Sequence, residues 1–148
     1  MESQYQDEFC RACYLVLGGN VHLISEWAGR LLGGRVDFQV MPVKWAIECV
    51  MEGDRLEDHI ARFLPEGKYY KWIMSEEIKE YILLDFRKSK PRKVRGIVIF
   101  SIPLGRRRLI RLDNVPFLYF IVFSDDYTSY ETYDAKLNLV GERMALLQ

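Results

Sequence analysis

The sequence predicts a mixed α/β domain: a β-sheet with helices on both sides. Three observations predict it. A helical repeat of apolar residues opens the chain, with Tyr5, Phe9, Ala12, Cys13, Val16 and Leu17 on one stripe. Two alternating segments separated by Met41-Pro42-Val43-Lys44 follow, as in a hairpin. Two nearly uninterrupted apolar runs, 81–86 and 117–123, have the composition of strands covered on both faces.

The elements follow in order. The first helix spans residues 2–17 and stops at Gly18-Gly19-Asn20, where glycine supplies a C-terminal cap. Residues 21–27 are a candidate strand, and Gly33-Gly34 breaks the chain before the alternating strand 35–40. Pro42 cannot continue a central strand, so 41–44 is a turn and 45–50 the returning strand. Asp54 is an expected N-cap, with Glu57 at capping-box spacing and Leu56, Ile60 and Phe63 as the buried stripe of a helix. Pro65-Glu66-Gly67 interrupts, and 69–77 is a further short helix. After the strand 81–86 come a basic segment at about 87–115, read as a hairpin or insertion, the strand 117–123, a strand at 130–133 and a helical tail. The order is α-β-β-β-α-β-β, and a meander joined by a crossover helix to a returning strand makes a mixed sheet.

The chain has 148 residues, is 49% hydrophobic and 28% charged, and is expected to form one domain over 1–148. Its 21 basic and 21 acidic residues cancel, which argues against a uniformly basic nucleic-acid binder. The sum hides a segregation. Residues 86–112 contain no acid, yet hold Arg87, Lys88, Lys90, Arg92, Lys93, Arg95, Arg106, Arg107, Arg108 and Arg111. Such asymmetry suits either a polyanion partner or a solvated loop. The three cysteines are an odd set. Cys10 and Cys13 share a helix face without a second ligand pair, so buried thiols are expected rather than a zinc site. No signal peptide is expected from the polar first residues, and no run reaches the roughly 18 apolar residues of a membrane span.

Chemistry concentrates on the hairpin. Asp37 lies between Val36 and Phe38 on one strand, and Glu48 between Ile47 and Cys49 on the next. A carboxylate within an apolar strand is costly to bury unless it is paired or binds a metal. Two that converge make a hard oxygen site suited to Mg²⁺. The alternative is that both point to a solvated face. Arg55, His59 and Arg62 follow at i, i+4 and i+7, either as cations beside the acids or as the polar side of an amphipathic helix. Asp85 and Arg87 share a strand face, where an ion pair is expected.

Gly34-Arg35-Val36-Asp37-Phe38, Trp45-Ala46-Ile47-Glu48, the run Gly53, Leu56, His59, Arg62-Phe63, Gly67 and Tyr69, and then Ile82 with Asp85-Phe86-Arg87 stand in a characteristic order. With Asp7-Glu8-Phe9, Ser25-Glu26-Trp27 and 121–127, they extend over about residues 5–134. This pattern resembles the C-terminal restriction-endonuclease-like (PD-(D/E)XK) domains of fungal and oomycete Crinkler-type effectors. The resemblance implies the α-β-β-β-α-β core of that superfamily and an Mg²⁺- or Mn²⁺-dependent nuclease, acting on DNA ahead of RNA. It implies Asp37 and Glu48 as metal ligands, with Glu8 or Glu26 as an accessory acid. The superfamily's lysine two residues after the glutamate is replaced by Val50. Arg55, Arg62 and His59 are the local substitutes, and a catalytically degenerate nucleic-acid- or protein-binding module is the alternative. Lys88, Lys90, Arg92, Lys93, Arg95, Arg106, Arg107 and Arg108 are the expected phosphate contacts. The stretch Lys88-Ser89-Lys90-Pro91-Arg92-Lys93-Val94-Arg95 has the composition of a nuclear address, so a nuclear location, in a host cell after secretion, is expected. A second copy of the chain or a host nuclear protein is a further candidate partner, and no membrane is expected.

Overall fold

The computed structural model describes residues 2–17, 21–30, 34–92, 97–101 and 107–146. The elements are α1 (Glu2–Leu17), β1 (His22–Trp27), β2 (Val36–Met41), β3 (Trp45–Met51), α2 (Leu56–Phe63), α3 (Tyr70–Met74) and β4 (Glu80–Arg87). Then come β5 (Ile97–Ser101), β6 (Arg107–Arg111), β7 (Leu118–Phe123), β8 (Ser129–Asp134) and β9 (Met144–Ala145). Among the described residues, seven strands form one mixed sheet in the order β1-β2-β3-β4-β7-β8-β9, and β5 and β6 form a separate pair. The chain packs as two compact units, 1–49 with 62–82, and 50–61 with 83–148.

In the first unit, β1, β2 and β3 form an antiparallel meander. Ser25 faces Phe38 across β1–β2, and Phe38 faces Ile47 across β2–β3. Alternation sends Phe38 to one face of the hairpin and Gln39 to the other. The Phe9 ring of α1 meets Phe38 at 5.5 Å, while Gln39 Nε2 donates to the Glu77 carbonyl beyond α3. Helical segments therefore cover both faces of the hairpin. An aromatic cluster fills the second side: Phe63 stacks on Tyr81 at 4.6 Å, and Tyr69 on Trp72 at 4.7 Å. Gly34 lets Tyr69 approach, because a Cβ there would lie 2.2 Å from the ring. The stripe expected on α1 is only partly realised. Phe9 and Cys13 are half-buried, but Val16 is 81% exposed. Of the cysteines only Cys49 is fully buried, and all three are free thiols.

In the second unit, β4 and β7 run parallel, Leu83 beside Leu118. Parallel neighbours need a long return connection, and the basic segment between them, carrying the β5–β6 hairpin, is that return. Ile97 pairs with Arg111 and Ser101 with Arg107, as expected for a hairpin. The β7–β8 hairpin closes through a turn in which Asp126 accepts from the Ser124 hydroxyl (2.7 Å) and the Thr128 hydroxyl (2.8 Å).

Two expectations are corrected. The tail is not helical: it turns after Asp134, whose Oδ1 accepts from Lys136 and Asn138 N–H, and pairs as β9 with β8. The tail's sparse apolar spacing loses to backbone pairing at an open sheet edge. The second helix begins at Leu56, not beside an Asp54 cap. Residues 52–55 form a turn with positive φ at Glu52 (51°), Gly53 (72°) and Arg55 (45°).

Candidate active site

The β2–β3 hairpin builds the site within the first unit. Gln39 faces Ala46 in the register, so alternation sets Asp37 and Gln39 on the same sheet face as Ala46 and Glu48. Asp37 is half-buried, and its Oδ2 accepts the Cys49 N–H at 2.7 Å. This carboxylate holds the start of β2 to β3 where a carbonyl would ordinarily serve. Glu48 is not on a solvated face: its side chain is 2% exposed. Arg62, at the end of α2, donates through Nη1 to Glu48 Oε1 (3.3 Å) and Oε2 (3.4 Å). The Tyr69 ring lies beside the same guanidinium, 5.9 Å from its carbon, and its hydroxyl donates to the Arg35 carbonyl. Burial raises the Tyr69 phenol above its ordinary pKa, and the Glu48 charge adds to this, while Arg62 opposes it. Cys49 is pushed well up, by burial first and then by the Asp37 charge, so it is an inert thiol.

Asp37, Glu48 and Arg62 are thus brought together. Two of the other expected acids are exposed. Glu8 is exposed on α1, and Glu26 is spent on an exposed pair with Arg35 at 3.4 Å. Arg55 stands immediately before α2, and its carbonyl accepts the His59 N–H at 3.1 Å. Its positive φ turns the backbone out of the helical path, and its guanidinium pairs with Asp54 at 3.7 Å. His59 is half-buried within α2. Val50, where the resemblance implies a lysine in related domains, is buried. Among the described residues, no three His, Cys, Asp or Glu side chains converge as a metal-binding group.

A second carboxylate cluster lies in the second unit. Asp85 is fully buried; its Oδ2 accepts from Arg87 Nε at 2.7 Å and its Oδ1 from the Gly53 N–H at 2.9 Å. The expected ion pair is present, and it also clamps the 52–55 turn. A Cβ on Gly53 would lie 2.5 Å from Arg87 Nη2. Burial raises the Asp85 pKa, against the pull of Arg87 and the Gly53 N–H.

Of the basic residues, Lys88 sits over the Tyr127 ring at 5.6 Å and Lys90 over Tyr133 at 4.2 Å. Arg92 is exposed. Arg107 and Arg108 lie on β6, opposite Ser101 and Phe100. Lys93, Arg95 and Arg106 lie outside the described residues.

Two residues were given no site role by sequence reasoning, Gln39 and Tyr69, the latter named only within the pattern of the resemblance. A polar residue two positions after Asp37 on an apolar strand was the available signal for Gln39. No helix among the described residues is long and apolar enough to cross a membrane. No family model matches the chain, and neither a curated protein nor a solved structure matches it.

Proposed function

We propose that the chain is a restriction-endonuclease-like nuclease domain of Crinkler type, which hydrolyses phosphodiester bonds of DNA, ahead of RNA, with Mg²⁺ or Mn²⁺. The observation that carries this reading is the gathering of Asp37 and Glu48 on one sheet face with the Arg62 guanidinium against Glu48. The order α1-β1-β2-β3-α2-α3-β4 supports it at the level of the core, the return helix being split in two.

The donor set fits a hard divalent ion, which takes one or two carboxylates and completes its shell with water and phosphate oxygens. Asp37 and Glu48 would hold it, and once bound it would polarise the phosphate and acidify a water. The chain's own residues do the rest. The Cys49 N–H fixes the Asp37 carboxylate in place. Arg62 neutralises Glu48 and supplies the positive charge that the missing lysine would bring. The basic segment, from Lys88 onward, holds the phosphate backbone. Nicking of supercoiled plasmid in Mg²⁺ against EDTA tests the reading. Glu48→Gln, which keeps the shape of the side chain, is expected to lose at least 100-fold of Mg²⁺-dependent nicking. Equal cutting by parent and variant overturns the assignment.

A second reading has its own observation. Arg62 already compensates Glu48 in a side chain that is 2% exposed, as a structural pair would. A catalytically degenerate module binding nucleic acid or a host nuclear protein has this arrangement, and DNA retention without Mg²⁺-dependent cleavage selects it. In both readings the basic cluster from Lys88 serves as a nuclear address, and the partners proposed beside nucleic acid are a second copy of the chain or a host nuclear protein.

A further inference from the structure

In the second unit, the β7–β8 hairpin carries a cluster of aromatic rings beside the start of the basic segment. Phe123 stacks on the buried Phe86 at 6.2 Å, and Tyr127 and Tyr130 lean against Phe123 at 6.0 and 6.3 Å. Phe123 and Tyr130 are half-buried, and Tyr127 is 41% exposed. The exposed Lys88 places its ammonium 5.6 Å from the centre of the Tyr127 ring. Lys90 and Arg92, both exposed, follow it in the chain.

Tyr127 stands where the backbone favours other residues. Its φ of 55° lies in the left-handed region, which suits glycine and asparagine better than an aromatic side chain. The turn closes through its own bonds. The Tyr127 N–H donates to the Ser124 carbonyl at 2.9 Å, and the Ser124 hydroxyl accepts the Thr128 and Ser129 N–H groups at 3.1 and 3.0 Å. A fixed backbone therefore presents the ring to solvent, with Phe123 behind it.

We propose that this patch stacks unpaired bases of a single-stranded nucleic acid, while Lys88 and the basic residues after it hold the phosphates. Aromatic faces beside a basic track are the two parts of a single-strand site, because every base has a face to stack and every nucleotide a phosphate. The Lys88 ammonium already marks the ring face as reachable. When a base takes that place, the ammonium exchanges the ring for a phosphate oxygen. A duplex cannot use the ring in this way, since its bases are stacked on one another. Phosphate contacts by themselves are open to both strand types. Asp125 and Asp126, exposed and just before Tyr127, disfavour a phosphate beside them, so the strand's backbone runs along Lys88.

The proposal deepens the nuclease reading by naming the strand type, and rests on it only for nucleic acid as the partner. Stacking requires neither metal nor cleavage, so all measurements are made in EDTA, and a failed nicking assay leaves them interpretable. Three end-labelled probes of equal length are titrated by fluorescence anisotropy: oligo-dT, a mixed-sequence duplex, and a strand whose sugars carry no base. Oligo-dT is expected to bind at least tenfold tighter than either of the others. Asparagine is at ease at the φ of Tyr127, so Tyr127→Asn removes the ring and keeps the turn. This variant is expected to lose most of the preference for oligo-dT, with duplex affinity and circular dichroism unchanged. Equal affinity for oligo-dT and the base-free strand, or an undiminished preference in folded Tyr127→Asn, overturns the proposal. Duplex binding at least as tight as oligo-dT also overturns it and leaves the nuclease reading standing. Binding of none of the three overturns both and turns the patch over to a protein partner.

Discussion

Glu48 and Arg62 form a largely buried ion pair in the first unit. A buried carboxylate is tolerated because a cation lies 3.3 Å away. Removing one partner strands the other, at a cost of about 3–5 kcal/mol for a well-formed buried pair. The contacts here are long and Arg62 is 29% exposed. The expected loss for Arg62→Ala is therefore at the low end, about 3 kcal/mol. Urea unfolding checks it, and Glu48→Leu combined with Arg62→Met is expected to recover most of the loss. A negligible change in Arg62→Ala would mean that Glu48 keeps its charge by another contact. The sequence showed both acids of the hairpin, because polar residues inside apolar strands are conspicuous. It did not show that Arg62 reaches Glu48. The helix that carries Arg62 begins at Leu56, after the 52–55 turn with its positive φ values at Glu52, Gly53 and Arg55.

At the scale of elements, the β7–β8 turn carries a measurable pH signature. The Asp126 carboxyl is lowered from 3.8 to about 2, first by the Ser124 hydroxyl and then by the Thr128 N–H and hydroxyl. A carboxyl whose folded pKa lies below its unfolded value binds fewer protons in the folded state. Its contribution is present above the ordinary value and is lost as pH falls through about 2. Thermal unfolding of the parent between pH 5 and 2 is expected to show a falling midpoint, with a shallower fall in Asp126→Asn. Asp134 is also lowered, its bonds from Asn138 and Lys136 outweighing burial, which raises it. The variant therefore keeps part of the slope, and identical slopes in parent and variant would refute the assignment to Asp126. Element types were largely readable. The strands 35–40, 45–50, 81–86 and 117–123 have compositions that few other structures tolerate, whereas the tail's spacing was too weak to resist pairing with an edge.

At the scale of the whole molecule, the zero net charge conceals the basic return between β4 and β7. If this segment holds phosphates, affinity for duplex DNA must fall as salt rises, by about 0.9 in logarithmic slope per contact. Replacing Lys88, Lys90 and Arg92 together by glutamine is expected to lower affinity at least tenfold at 0.1 M salt and to flatten the slope. Filter binding across a salt series measures both, and a slope unchanged by the triple variant excludes these residues as phosphate contacts.

What the sequence by itself determined are the features set by local chemistry. These are the period of the first helix and of the strands at 35–40, 45–50, 81–86 and 117–123, the breaks at proline and glycine, the segregation of basic charge and the two carboxylates of the β2–β3 hairpin. The tertiary structure alone decided which cation meets Glu48, that Gln39 is buried against the Glu77 carbonyl, and that the basic segment joins two parallel strands. Those outcomes depend on contacts between residues far apart in the chain, such as Arg62 with Glu48, Glu77 with Gln39 and Leu118 with Leu83. Periodicity and propensity describe a residue's near neighbours, so they carry no information about which distant groups packing brings together.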